Sequence, residues 1–247
     1  MMKKRFLLLA FLLFIPWTIK AQTLSQIRTE VRRNIRDTAS DSSRYKFSDS
    51  LLTDLANNAQ REIVNATWLC DKTSTYVLLG RTTYYDLPND LIAIFQVEFK
   101  NSGGQTIELN ETSLKQLYDK NPDWTRQTGT PVEYVVRQPT STATTALSIS
   151  YIPIPTNTST GTVTIRYYNQ VADLSADADI PYDGRRHLYP YHYAIVDHVT
   201  ARIKLIEGRS DEATLYIQLF QNDISVLRDR IGRAPNYNPS FGVGTHK

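Results

Sequence analysis

Apolar residues along this chain follow two rhythms, and the changes of rhythm divide it. Leu24, Ile27, Val31 and Ile35 recur at three- and four-residue spacing, which predicts a helix over 24–37. Residues 38–45 are polar and read as a loop. Ser48 then stands where a helix N-cap belongs, because its hydroxyl can accept a free N–H of the first turn. Leu51, Leu52, Leu55, Ala59, Ile63 and Ala66 continue that helix to about residue 68. Two amphipathic helices across a short loop predict an antiparallel hairpin.

From residue 71 the rhythm shortens. Strands are predicted over 75–79, 83–87, 91–99, 105–109, 132–137, 147–152 and 162–168, separated by turn residues such as Asn101 to Gly104 and by Pro88, Pro131, Pro153 and Pro155. One short helix, 112–120, interrupts them, with Leu114, Leu117 and Tyr118 expected inward. Residues 173–183 are acidic and turn-rich. Helical spacing then returns. Ile195, Val199, Ile203 and Ile206 mark a helix over 189–207 that Gly208 closes, and Leu215, Leu219, Ile224 and Leu227 mark another over 211–231. The last fourteen residues have no period and few charges.

The expected fold class is therefore α+β: a helical bundle formed by N- and C-terminal helix hairpins, with a β-rich central insertion. Neither hairpin is long enough to bury its apolar stripe alone, so the two are expected to pack together. The expected segments are 22–70 for the N-terminal hairpin, 71–172 for the insertion with its one short helix, 173–233 for the C-terminal hairpin packing on 22–70, and 234–247 for a flexible tail.

The first 21 residues change how the charge is read. Lys3, Lys4 and Arg5 precede a short apolar run to Trp17, and Ala21 offers a small residue at a cleavage point, the layout of a signal-peptide-like leader. The run is too short to cross a bilayer, which takes about 20 apolar residues. The full chain holds 28 Lys and Arg against 25 Asp and Glu. Taking away the leader's Lys3, Lys4, Arg5 and Lys20 leaves 24 basic against 25 acidic residues. The mature body is then near neutral, which gives no general electrostatic case for nucleic-acid binding, and no membrane partner is expected for it.

Candidate chemistry is sparse. Cys70 is the only cysteine, so no intrachain disulfide and no cysteine-based zinc site can form. The histidines are His187, His192, His198 and His246, with no metal-ligand spacing among them. There is no Gly-rich phosphate loop and no Gly-x-Ser-x-Gly elbow. No catalytic residue, cofactor or metal is assigned, and an enzyme is not expected. Two features suggest partners instead. Arg28, Arg32 and Arg36 stand one turn apart on the first helix, and read either as a solvated face beside Glu30 and Asp37 or as a surface for an acidic partner. Pro235, Tyr237 and Phe241 give the tail anchors for a partner's groove. The 15 tyrosines fit either strand packing or interfaces.

The order of motifs carries a resemblance. Leu24-Ser25-Gln26-Ile27-Arg28 leads to Val31-Arg32-Arg33-Asn34-Ile35-Arg36-Asp37. Phe47-Ser48-Asp49-Ser50-Leu51-Leu52 and Asn57-Asn58-Ala59-Gln60-Arg61-Glu62-Ile63 follow. Tyr85-Asp86-Leu87-Pro88-Asn89-Asp90-Leu91-Ile92, Gly129-Thr130-Pro131-Val132-Glu133-Tyr134 and Tyr151-Ile152-Pro153-Ile154-Pro155 come later, and two helices end the chain. Over about 24–233 this resembles the tailed-phage head-to-tail adaptor family, also called connector or head-completion proteins. The resemblance implies a structural virion protein. It implies a homo-oligomeric ring, commonly of twelve subunits, that joins portal protein to tail proteins, with DNA passing through the lumen and the C-terminal tail laid on the portal. It brings no catalytic residue. The leader and the Thr-rich strands support a different expectation, a secreted or periplasmic non-enzymatic binding module. A third, an enzyme with a site around His187 and His192, lacks any supporting motif.

Overall fold

The computed structural model describes residues 20–39, 42–138, 147–156 and 161–232. The chain is mixed α+β and divides into two compact units. Among the described residues the first comprises 20–60 with 172–226, and the second 61–171 with 227–232.

In the first unit, α1 (Leu24–Ile35) buries Leu24, Ile27, Val31 and Ile35, the residues whose spacing predicted it. Its start is a reciprocal capping box: the Gln26 N–H donates to Thr23 Oγ1, and the Thr23 N–H to Gln26 Oε1 at 3.0 Å. Two further amides of its first turn are met by the acidic loop, Leu24 N–H by Asp179 O at 2.8 Å and Ser25 N–H by Asp177 O at 3.1 Å. The helix stops at Arg36, which adopts a left-handed conformation with φ of 61°. Next comes α2 (Asp49–Thr67), whose first turn is capped by Ser48, with the Leu51 N–H donating to Ser48 Oγ at 3.2 Å.

Helix α4 (His192–Ile206) buries Ala194, Ile195, Val199 and Ile203 and packs closely on α1, from the other end of the chain. Asn34 Nδ2 reaches Thr200 Oγ1 between them. The close helix pair in this unit is thus α1 with α4, one helix from each of the two terminal segments. A 3₁₀ stretch, Arg186–Tyr191, precedes α4, because Pro190 prevents the α-helix from starting earlier. The loop at 172–182 is fixed by two amides of α2. Asn57 Nδ2 donates to Leu174 O while the Leu174 N–H donates back to Oδ1, and Gln60 joins Ala172 O to the Tyr182 N–H in the same way. Helix α5 (Ser210–Gly232) completes the helices.

The second unit is built on two four-stranded sheets. One has the order β1 (Asp71–Val77), β10 (Gly161–Asn169), β3 (Leu91–Asn101), β4 (Thr106–Glu108), all antiparallel. The other runs β2 (Tyr85–Asp86), β8 (Ser148–Ile152), β7 (Glu133–Arg137), β5 (Asn110–Glu111). A small parallel pair joins β6 (Thr128–Gly129) to β9 (Ile154–Pro155). The two large sheets share one core. Val97, Phe99, Val163, Ile165 and Tyr167 of the first meet Tyr134, Ile149 and Tyr151 of the second. The alternate residues Val135 and Ile152 point the other way and pack with Trp124 and Leu117 of α3 (Leu114–Lys120). The second sheet is therefore covered on both faces.

The strands expected over 91–99 and 105–109 pair across the Asn101–Gly104 turn as the hairpin β3–β4. The strands predicted over 75–79 and 83–87 do not pair with each other. They join β10 and β8 from far along the chain, while Tyr85 closes the bend between them by bonding both the N–H and the C=O of Leu79 at 2.9 Å.

Candidate partner-binding surfaces

The arginine stripe of α1 is spent largely inside the first unit. Arg32 is only 5% exposed. Its Nη1 donates to Asp37 at 2.7 Å and its Nη2 to Asp49 at 2.5 Å, and the guanidinium lies 3.6 Å from the centre of the Tyr45 ring. Asp37 also accepts the Lys46 N–H at 2.9 Å and the Phe47 N–H at 3.2 Å. The pair therefore fastens the link between α1 and α2. Arg28 bonds Asp177 and lies 3.9 Å from Asp49. Arg36 alone of the three is exposed, at the left-handed end of α1. Of the two readings of this stripe, the solvated face fails at Arg32: Asp37, already named beside the stripe, is buried with it, and the second carboxylate, Asp49, lies on the next helix where spacing within α1 does not reveal it. Pro235, Tyr237 and Phe241 lie outside the described residues, as do residues 1–19 of the leader.

A second charged cluster ties α2's approach to the α4–α5 turn. Lys46 Nζ donates to Glu207 at 2.7 Å, and Arg209 pairs with both Glu207 and Glu212. These hydrogen bonds, the Lys46 bond above all, hold the Glu207 carboxyl below its ordinary range. The buried Lys204 reaches Glu212 at 3.0 Å. In the acidic loop the Asp179 carboxylate accepts the Ser175 and Ala176 N–H groups, each at 2.7 Å, and they hold it below its ordinary range.

His192 is buried, not presented. Its Nδ1 accepts the Gln22 N–H at 3.0 Å, with the rings of Tyr189 and Tyr182 beside it. Burial pushes its pKa down to about 4, so it is neutral at physiological pH. His187, its partner in the enzyme reading, is exposed. Among the described residues no three His, Cys, Asp or Glu side chains are grouped so as to hold a metal ion. On the facing sides of α4 and α5, burial and the nearby Asp223 raise Asp197 to about 6.

What faces solvent is apolar in several places. Leu215 and Leu219, predicted to point inward, are 56% and 43% exposed, and Ile206 and Tyr118 also face out. Helix α5 carries two apolar stripes. Ala213, Phe220 and Leu227 are the buried ones, while Leu215, Leu219 and Val226 line the other face. Of the predicted stripe, Leu227 is buried and Ile224 half-buried, while Leu215 and Leu219 face out; their place on the buried side is taken by Ala213 and Phe220. In the second unit, Val77, Leu79, Ile92 and Phe95 are exposed on the first sheet. Among the described residues no helix is long and apolar enough to cross a membrane.

The chain belongs to the SU10 adaptor protein family, a phage head–tail adaptor family, which it matches over residues 22–240. No curated protein matches the chain.

Proposed function

We propose that this phage adaptor is one subunit of a closed homo-oligomeric ring, commonly of twelve copies, that joins the portal protein to the tail proteins of the virion. In this reading the terminal helix pairs, 22–70 and 173–233, form the bundle, and the insertion 71–172 makes subunit contacts. The DNA passes through the lumen without sequence-specific binding, in keeping with 24 basic against 25 acidic residues after the leader. The observation that carries the proposal is the family match over 22–240. The apolar side chains exposed on both units supply surfaces that a lone subunit would leave in water.

The tail 234–247 lies against the portal in this reading, with Pro235, Tyr237 and Phe241 as anchors. Of the α1 stripe, Arg36 is the member offered to a partner, while Arg28 and Arg32 act from within by fixing the loops around it. The test is co-purification with the portal protein of the genome that carries this chain. The full chain is expected to be retained and a chain ending at residue 233 to be lost. Equal retention of both would remove the tail's role, and no retention of either would remove the portal as partner.

A further inference from the structure

We infer that the outer edge of β1 is the strand by which one subunit joins the next, and that its occupant is the uncovered edge of β3 from a second copy of this chain. The inference rests on the ring reading above and names the surface that closes the ring.

The ladder between β1 and β10 fixes which way β1's backbone points. The Asn169 N–H donates to Cys70 O at 2.8 Å, and the Leu78 N–H to Gly161 O at 3.0 Å. Between them the register runs without a shift, from Asp71 opposite Tyr168 to Val77 opposite Thr162. Hydrogen-bonded pairs alternate in an antiparallel ladder. Lys72, Ser74 and Tyr76 therefore spend their N–H and C=O groups on β10, and Asp71, Thr73, Thr75 and Val77 direct theirs outward. No described strand bonds that side. All four residues are exposed, Val77 by 64%.

Proteins usually blunt such an edge with charge, proline or a bulge. Residues 73–79, Thr-Ser-Thr-Tyr-Val-Leu-Leu, hold no charge and no proline, and the strand has no bulge. The opposite border of the same sheet is also open. β4 pairs with β3 at Glu98, Phe99 and Lys100, and the flanking residues add bonds from the Leu109 N–H to Val97 O and from the Asn101 N–H to Gln105 O, all beyond residue 96. Residues 91–96, Leu-Ile-Ala-Ile-Phe-Gln, are uncharged and uncovered, and Ile92 and Phe95 are exposed there. Two register shifts against β10 bend this stretch, which restricts the strands able to follow it.

One sheet thus ends on two different edges, each with an uncharged run, 73–79 on β1 after the charged Asp71 and Lys72 and 91–96 on β3, and each flanked by exposed apolar side chains: Val77 and Leu79 on one, Ile92 and Phe95 on the other. A ring needs two unlike, complementary patches on each subunit. A self-paired β1 would instead close a two-fold dimer and leave β3 bare. Both β1 and β3 run antiparallel to β10, so they run parallel to each other. A neighbour related by a small rotation keeps that sense, and the joint is a parallel pair that continues the sheet from subunit to subunit.

The test is the mass of the assembled full chain, by native mass spectrometry, for wild type, Thr75→Pro and Phe95→Lys. Proline at 75 removes only an outward donor and leaves the β10 ladder whole. Thr75→Pro is expected to keep the wild-type melting temperature within a few degrees and to raise the concentration needed for assembly by roughly tenfold or more. Phe95→Lys is expected to do the same from the other edge. Rings that persist in Thr75→Pro overturn the inference and leave the ring reading standing. So does loss of rings in Thr75→Pro alone, since the occupant is then not β3. A wild-type chain that never assembles overturns both. Should Thr75→Pro fail to fold, hydrogen exchange in the wild-type ring decides: slowed amides at Thr73, Thr75 and Val77 relative to the dissociated chain support the joint, and unchanged rates refute it.

Discussion

Arg32 and Asp37, five residues apart, form an ion pair sealed within the first unit, at 2.7 Å with side chains 6% and 8% exposed. Asp37 takes two backbone N–H groups besides, so one carboxylate closes the turn after α1 and fixes the entry to α2. Asp37→Ala leaves Arg32 its second carboxylate, Asp49, but takes the acceptor from the Lys46 and Phe47 N–H groups. It should cost about 1–3 kcal/mol, read as a lower midpoint in urea with an unchanged slope. An unchanged midpoint would mean that the pair contributes nothing.

Gly161 opens β10 where no side chain fits. A Cβ there would meet the Phe99 ring, with Cζ at 2.8 Å, and Lys100 O at 2.6 Å. Backbone cannot give way as a flexible side chain would. Gly161→Ala should destabilise the chain by about 1–3 kcal/mol, the usual penalty of overpacking. A thermal melt checks it.

The neighbours Leu219 and Phe220 separate the two stripes of α5. Phe220 is buried and packs against the His198 ring at 4.9 Å, while Leu219 faces out. Phe220→Ala should cost about 3 kcal/mol or more. Leu219→Gln should stay within about 0.5 kcal/mol, as surface changes do. Comparable losses at both would put α5 in the rotation predicted from periodicity.

Buried His192 and half-buried Asp197 give opposing pH dependence. His192 has its pKa pushed down to about 4, so the unfolded chain binds its proton more readily, and this group's stability rises with pH between about 4 and 6.5. Asp197 is raised to about 6, so the folded chain binds its proton more readily, and its contribution falls with pH between about 4 and 6. Together the slopes partly cancel. Asp197→Asn should leave the histidine slope exposed and gain about 1 kcal/mol at pH 7, a figure kept small because Asp197 is partly solvated. His192→Gln should leave the carboxylate slope. Melting temperatures from pH 4 to 8 test both.

The helices were legible because each carries its own record. Leu24, Ile27, Val31 and Ile35 repeat at helical spacing, and Ser48 marks a start by hydrogen bonds that close within four residues. The β3–β4 hairpin was legible for the same reason, since Asn101 to Gly104 make a local turn with Gly104 at φ of 83°. What remained hidden depends on distant residues. That β1 lies against β10 is a contact across ninety or so positions, with only alternation to announce it. Arg32 looked like part of a solvated face because the partners that bury it, Asp49 and the Tyr45 ring, belong to other elements. Asn57 and Gln60 stood in a motif of the family resemblance, but nothing local gave their role. They are polar residues on a buried side, and they make sense only once the 172–182 loop lies against them.

The ring is the central claim, and imaging the full chain mixed with its portal protein by cryo-electron microscopy tests it most directly. A closed circle of adaptor copies seated on the portal, with the first sheet of each subunit running into the next, is the predicted image. Single copies scattered on the portal, or subunits that touch only through their helices, would contradict it.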